Sequence, residues 1–498
     1  MSYYTPNTDD NCYTRMGVRP FVNCCGTRTI HSGTLMLPQV KRAMEAASSF
    51  FVNIDELMEG VGERLAVLTG AEWGMVTSGA AAALCHATAA CIAGGEPEVM
   101  LCLPNTEGLK DRVIMLNGGR FTYDHAIRMT GTKILEVETR NDLLRALDDR
   151  VAMVALLGTH DAEASLRLEE IAALTRPLGI PLLVDAASEH LTKPNPYLTR
   201  GATMVAYSGG KYLRGPQASG LLLGEKAWIQ AAWTNAAPHH ALGRAMKVGK
   251  EEIMGVLATV EYWVTQRDHK AERRQWEMDL TTIAAEVTRT RAVTTEILQP
   301  ERVTVSVPRL EICWDEGQIG MTGLDLRARL LDGKPRIMLD DRGATNTSVF
   351  ILPFSLQPGE ARVVGQRIRE VLATAPKSER KAAPPPVQIA GCWSLDIQYV
   401  KGKSNHRLVF EQQNHELTGS HRTRFHENPL SGCVQGNEIT FSSLHRFEGT
   451  HLAYRFSGAV NGDLMEGLVE LGSSGQSAPG PLNQREYGTG RWRAERTD

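Results

Sequence analysis

The chain lacks a C-x-x-C, and its nine cysteines are scattered and odd in number. That disfavours a disulfide framework or a zinc ribbon. Reduced thiols packed in cores are the expectation, including the adjacent Cys24 and Cys25 in an apolar stretch. Fourteen histidines include no H-E-x-x-H. The side chains of adjacent His239 and His240 diverge, so no metal site is expected. Charge of one sign is missing too. Lys and Arg number 54 against 57 Asp and Glu, a net charge of −3. This leaves no footprint of nucleic-acid binding and no polybasic membrane patch. No apolar run reaches the roughly 18 residues that a spanning helix needs. The first ten residues carry neither a basic nor an apolar leader segment, so no secretory signal is read and a cytoplasmic location is expected.

What is present is an ordinary globular composition, 42% hydrophobic and 22% charged over 498 residues. That length allows two to four domains with large cores. The most informative stretch is Tyr207-Ser-Gly-Gly-Lys-Tyr-Leu-Arg-Gly-Pro-Gln217, read with Val184-Asp185-Ala186 upstream. A lysine sits in a glycine-rich turn, and an aspartate ends an apolar run. Pyridoxal 5′-phosphate chemistry needs that pair. The lysine forms a Schiff base with the aldehyde, and the carboxylate keeps the pyridine nitrogen protonated. Each element alone is common: many buried strands end in Asp, and Gly-Gly-Lys is an ordinary turn. A P-loop is excluded, because Val205 and Tyr212 stand where Walker A requires Gly and Ser or Thr.

Buried strand patterns at Val151–Leu157, Ile180–Asp185 and Met204–Tyr207 alternate with a short helix from Leu168. Continuous apolar strands separated by helices imply a mainly parallel sheet covered on both faces. Ligands in such sheets sit beyond the carboxyl ends of the strands, where Asp185, Ser208 and Lys211 fall. Upstream, Trp73–Thr77 reads as a strand that passes through Ser78-Gly79 into an alanine-rich helix. Its N-terminus suits a phosphate, although a plain helix start in a packed core has the same pattern. Residues 251–291 read as a long helical connector, and 301–373 as an α+β layer. The expected domains are 1–255, 256–374 and 388–498, with a Pro-rich linker at 375–387. Past the linker, about eight short alternating strands predict a small antiparallel barrel or sandwich. It offers no catalytic cluster; His421, His426 and Glu427 read as exposed strand ends.

Several motifs together carry a resemblance over residues 17–373. They are Arg19-Pro-Phe-Val-Asn-Cys-Cys-Gly-Thr27, Phe51-Val-Asn-Ile-Asp-Glu-Leu57, Val76-Thr-Ser-Gly-Ala-Ala-Ala82, Val184-Asp-Ala-Ala187, Ser208–Gln217 and Gly243-Arg-Ala-Met-Lys-Val-Gly-Lys-Glu-Glu-Ile253. The chain resembles the SelA-like branch of fold-type I pyridoxal-phosphate enzymes, which includes selenocysteine synthase and D-glucosaminate-6-phosphate ammonia-lyase. By position, the resemblance implies that Lys211 is the Schiff-base lysine and Asp185 the pyridinium partner. Thr77, Ser78, Gly79, Ala80 and Ser208 form the implied phosphate cup. Arg244, Lys247 and Lys250 lie in a basic segment that in this fold often faces a shared site, though a solvated helix start reads the same way. It also implies a homo-oligomer. A carboxylate clamp on the substrate would fall to Arg336 or Arg342, since a guanidinium grips carboxylate bidentately.

The expected activity is lyase chemistry, of ammonia-lyase or dehydratase type, on a small amino acid or amino-sugar acid, through Lys211 and a quinonoid. The alternatives are a transferase, aldolase or racemase of the same family, or a non-catalytic protein that keeps the fold. Two departures argue against charged tRNA as substrate: only about 18 residues precede the matching region, and a β domain is appended.

Overall fold

The computed structural model describes residues 10–300, 307–341, 343–376, 384–474 and 487–497. The chain divides into two compact units. One comprises Met1–Ala285 with Glu296–Leu310 and Ile351–Gly365. The other comprises Glu286–Thr295, Glu311–Phe350 and Gln366–Asp498.

The first unit is built on a seven-stranded sheet. Its strands are β1 (Trp73–Thr77), β2 (Arg112–Leu116), β3 (Lys133–Val137), β4 (Val151–Leu157), β5 (Leu182–Asp185), β6 (Met204–Ser208) and β7 (Gly220–Gly224). Their order is β1-β7-β6-β5-β4-β2-β3. Every pair is parallel except those of β7, which runs antiparallel to both β1 and β6. The apolar runs fold as strands buried on both faces: all five residues of β1 and all four of β5 are buried. Helix α1 (Ala80–Ala93) follows β1 and is buried nearly all round, which its alanines permit by letting neighbours approach closely.

The expected connector is two helices rather than one. Helix α2 (Lys250–Thr265) ends, three residues intervene, and α3 (His269–Val287) begins. Farther on, β8 (Val293–Leu298), β9 (Arg309–Trp314) and β10 (Ser348–Ile351) form a three-stranded sheet of order β10-β9-β8. Helix α4 (Glu360–Ala373) comes next.

The carboxy-terminal region is a closed barrel rather than a sandwich. Its strands are β11 (Gly391–Gln398), β12 (Lys403–Gln413), β13 (Glu416–Arg422), β14 (Glu427–Gln435), β15 (Glu438–Phe447), β16 (Thr450–Asn461), β17 (Leu464–Ser474) and β18 (Thr489–Arg496). Each pairs antiparallel with its neighbours, and β11 pairs with β18 to close the ring. Closure removes the unpaired edges that invite aggregation. The period-2 pattern turns Trp393, Phe410, Phe441, Phe456 and Trp492 inward, where Phe441 and Phe456 stack with centroids 4.4 Å apart. Of the expected linker, Pro384 and Val387 both bond to Gly436, so the barrel's own structure begins before residue 388. Among the described residues, no helix is long and apolar enough to cross a membrane.

Candidate active site

Strands β5 and β6 lie side by side in parallel, with Asp185 opposite Ala206. Their carboxyl ends therefore deliver Asp185 and Ser208 to one rim of the sheet. Beyond Ser208 the chain turns through Gly209-Gly210 and presents Lys211. The Thr34 hydroxyl donates to the Gly210 and Lys211 carbonyls, both at 3.1 Å, and fixes that turn. The Lys211 ammonium donates to Ser188 Oγ at 3.0 Å. Ser188 stands three residues past Asp185, so a single loop carries both the carboxylate and the lysine's partner. Sequence reading missed Ser188, although its place in Asp185-Ala-Ala-Ser188 was the available signal.

Asp185 is buried, and its Oδ1 accepts the Ala187 N–H at 2.9 Å. Burial pushes its pKa up, against the Ala187 bond and the positive charge of Lys211. A buried carboxylate held this way is short of a cationic partner. A protonated pyridine nitrogen would be one.

The cup lies at β1 and the start of α1. Thr77 Oγ1 donates to the Gly79 carbonyl at 2.8 Å, and Ser78 Oγ donates to the Met246 carbonyl at 3.1 Å. Gly79 has φ +150°, a conformation that side chains rarely adopt. It is the N-cap, with no capping side chain and no acidic residue in the first turn, so no side chain satisfies the leading N–H groups or the positive end of the α1 dipole. Gly220 on β7 lets the cup close in, because a Cβ there would meet Gly79 backbone at 2.4 Å. Together, the uncapped helix and the under-partnered Asp185 fit pyridoxal phosphate at both of its charged ends.

The bond from Ser78 to Met246 lays the 243–250 segment against the cup. Arg244, Lys247 and Lys250 line a cavity of about 260 Å³ there, with Phe51, Val52 and Pro238. Lys250 is engaged with the Ala47 carbonyl and Glu251. A second cavity, about 280 Å³, opens at the carboxyl ends of β2 and β4, lined by Asn117, Gly119, His160 and Asp161 among others. Leu157 of β4 lines it and pairs with Asp185, so this crevice adjoins the carboxylate. Arg336 belongs to the second unit, half-buried just ahead of Ile337. Arg342 lies outside the described residues.

In the barrel, the expected exposure of His421 is wrong. His426 and Glu427 are exposed, but His421 is fully buried, because the period-2 pattern of β13 turns it inward. It sits between His406 and His445. Asn428 Nδ2 donates to His445 Nδ1 at 3.0 Å, which puts the His445 proton on Nε2. That N–H faces His421 Nδ1 at 3.1 Å and Ser443 Oγ at 3.2 Å, and the serine hydroxyl donates to His421 Nδ1 at 2.6 Å. His421 Nε2 then donates to His406 Nδ1 at 2.9 Å. Burial lowers the pKa of all three, to about 4 for His406 and His445 and about 2 for His421. His421 spends both nitrogens on neighbours, and no metal-holding cluster occurs among the described residues.

An open α/β sheet with this strand order, a lysine turn and a buried carboxylate at adjoining strand ends, and an anion cup at a helix start defines a fold-type I pyridoxal-phosphate enzyme. The family model "SelA: L-seryl-tRNA selenium transferase" matches residues 40–327. The chain belongs to the SelA family. It is 30% identical over 373 residues to D-glucosaminate-6-phosphate ammonia lyase of Salmonella typhimurium (strain 14028s / SGSC 2262), covering 72% of this chain and 98% of that protein. It is 28% identical to a 5′-C-glycyluridine monooxygenase-decarboxylase of a Streptomyces species, covering 72% and 92%. A solved structure of D-glucosaminate-6-phosphate ammonia-lyase superposes with a TM-score of 0.66 at 29% identity, over 74% of this chain and 99% of that one. The barrel lies beyond the segment that the family model matches.

Proposed function

We propose that this protein is a pyridoxal-phosphate-dependent lyase that eliminates a substituent from a small amino acid or amino-sugar acid. The observation that carries this reading is the delivery of Asp185 and Lys211, by neighbouring parallel strands, to a rim that also holds a crevice. When bound, the cofactor supplies an electron sink for the bond broken at the substrate's α-carbon. Thr77, Ser78, the N–H groups behind Gly79 and Ala80, and Ser208 hold its phosphate. Asp185 keeps the ring nitrogen protonated from a pocket that excludes water. Lys211 would hold the cofactor through its aldehyde and would move the proton at the substrate's α-carbon. Ser188 Oγ, which accepts from the lysine Nζ, would keep that amine aimed at the site. Elimination, rather than transfer, aldol cleavage or racemisation, is favoured by the likeness to the ammonia-lyase over almost all of its length.

The basic segment supports substrate binding. Arg244 and Lys247 offer cations for an anionic group of the substrate. Phe50, Phe51 and Val52 are exposed beside that segment, Phe51 fully so, which supports a homo-oligomer buried across this face. No disulfide joins any of the nine cysteines, in keeping with a reducing, cytoplasmic compartment.

The test is borohydride reduction of the protein loaded with pyridoxal phosphate, then peptide mapping. The adduct is expected on Lys211. Spectral change on mixing with amino acids and amino-sugar acids then finds the substrate, and release of ammonia identifies the elimination. An adduct on another lysine refutes the site.

A further inference from the structure

We propose that Arg267 is a positioning residue for Lys211, acting through the backbone on either side of the site. It occupies the break between α2 and α3, and its side chain is 1% exposed. Its Nε donates to Glu272 at 2.7 Å, and its Nη1 donates to the carbonyl of Tyr212, the residue after Lys211, at 2.9 Å. The guanidinium lies over the Trp263 ring, 3.9 Å from its centroid. The Trp263 indole N–H in turn donates to the Leu191 carbonyl at 2.5 Å, at the end of the loop that carries Asp185 and Ser188.

One buried cation and its stacked indole therefore grip both backbones that meet at the site. His190 completes the wedge. Its ring stacks on Tyr212 at 4.5 Å and lies 5.4 Å from Trp263. Burial, Arg267 and His269 hold His190 neutral, with its pKa down to about 3, so it does not repel the guanidinium. Phe354 closes Tyr212 from the edge at 4.9 Å.

Stability alone does not account for a charge at this position. Burying a guanidinium costs several kcal/mol before its partners repay it. Here Nη2 finds no acceptor among the described residues. An apolar side chain of similar length would pack among Trp263, Tyr212 and the α2–α3 break without that cost. What it could not do is hold the Tyr212 carbonyl, and with it the direction in which Lys211 leaves its turn. The Ser188–Lys211 bond is then set from both ends, by the Trp263–Leu191 contact on one side and by Arg267 on the other.

The inference rests on the reading of Lys211 as the cofactor lysine. The experiment compares wild type, Arg267→Met, Arg267→Lys and Trp263→Phe in the full chain, well below each thermal midpoint. It measures the dissociation constant for pyridoxal phosphate, the pH at which the bound chromophore titrates, and kcat apart from KM. Arg267→Met should weaken cofactor binding at least about tenfold, move the chromophore titration, and lower kcat more than it raises KM. Arg267→Lys, which can still donate to one carbonyl, should fall between, and Trp263→Phe should shift the same readouts by freeing Leu191. A lowered thermal midpoint with wild-type affinity, chromophore titration and kcat in Arg267→Met reduces the residue to packing and overturns the proposal. Should that variant fail to fold, wild-type values in both other variants overturn it equally. Failure of the wild type to give a borohydride-fixed adduct on Lys211 is a separate outcome, which removes the underlying reading.

Discussion

The α/β unit and the barrel both bury polar groups, and they treat them in opposite ways. At the rim of the sheet, Asp185 is enclosed with one short bond, and the first turn of α1 is left uncapped. In the barrel, His406, His421, His445, Ser443 and Asn428 hand one proton to the next in a single direction and satisfy one another. A buried polar group must find a partner, and the choice of partner separates function from structure. On the proposed reading, the first set is completed by a ligand that is anionic at one end and cationic at the other. The second is complete without any ligand.

The largest expected effect comes from removing the charge that the site holds in waiting. Asp185→Asn should retain the cofactor, because the cup at Thr77–Ala80 is untouched. It should lose roughly 10²–10⁴ in kcat, because an amide cannot keep the ring nitrogen protonated. Steady-state turnover and the absorbance of the bound cofactor, at roughly 410–430 nm, measure both. Near-normal turnover would make Asp185 a structural residue and dissolve the contrast with the barrel.

Gly220→Ala tests the other end of the ligand. The added methyl would press on Gly79 backbone and on Thr77 Oγ1. We expect cofactor affinity to fall by about tenfold to a hundredfold, with little change in kcat at saturation, since neither Asp185 nor Lys211 is displaced. Fluorescence titration of cofactor-free protein reads this out. Unchanged affinity would place the phosphate elsewhere.

The barrel's completeness has a pH limit. All three histidines have folded-state pKa values below their ordinary 6.5. The unfolded chain therefore binds protons that the folded barrel refuses. Their contribution to stability is fully present above about pH 6.5 and falls as the pH drops toward 4. For His406 or His445 that is on the order of 3 kcal/mol by pH 4. A proton added to any member sets two donors face to face across a contact of 2.9–3.1 Å. Hydrogen exchange on peptides of β12, β13 and β15, corrected for intrinsic rate, should show protection lost between pH 6.5 and 4. His421→Phe should cost stability at pH 7 and flatten that dependence. Equal protection at both pH values would mean that the chain accommodates protons.

The sequence showed what depends on local pattern. Buried strands read at 151–157, 180–185 and 204–207, and the lysine turn, follow from apolar runs and glycine placement; the structure trims the second to Leu182–Asp185 and extends the third to Ser208. Alternation around Trp393, Phe410 and Phe456 announced an all-β region. Its closure into a barrel depends on β11 meeting β18, about a hundred residues apart, which no local pattern records. Gly220 and Arg267 went unseen for the same reason, since each matters through a contact distant in sequence. His421 was misread because alternate residues face inward whatever their polarity, and the hydrogen-bond partners that make its burial tolerable come from two other strands.

The smallest effect we expect is from deleting the barrel. It has a core of its own, from Ile389 and Trp393 to Trp492, and its ring of backbone bonds closes on itself. The cut must respect Pro384 and Val387, whose bonds to Gly436 begin the barrel's structure, so it belongs between residues 376 and 384. Residues 1–376 should stay soluble and bind pyridoxal phosphate on Lys211 within about twofold of the full chain, because every group that holds the ligand precedes the cut. Residues 384–498 alone should melt cooperatively and show the same acid sensitivity. A change in assembly state or substrate affinity with the cofactor adduct intact would assign the barrel an accessory role. Loss of cofactor binding in the shortened chain would show that the site depends on the barrel, and the contrast between a waiting site and a self-sufficient domain would fail.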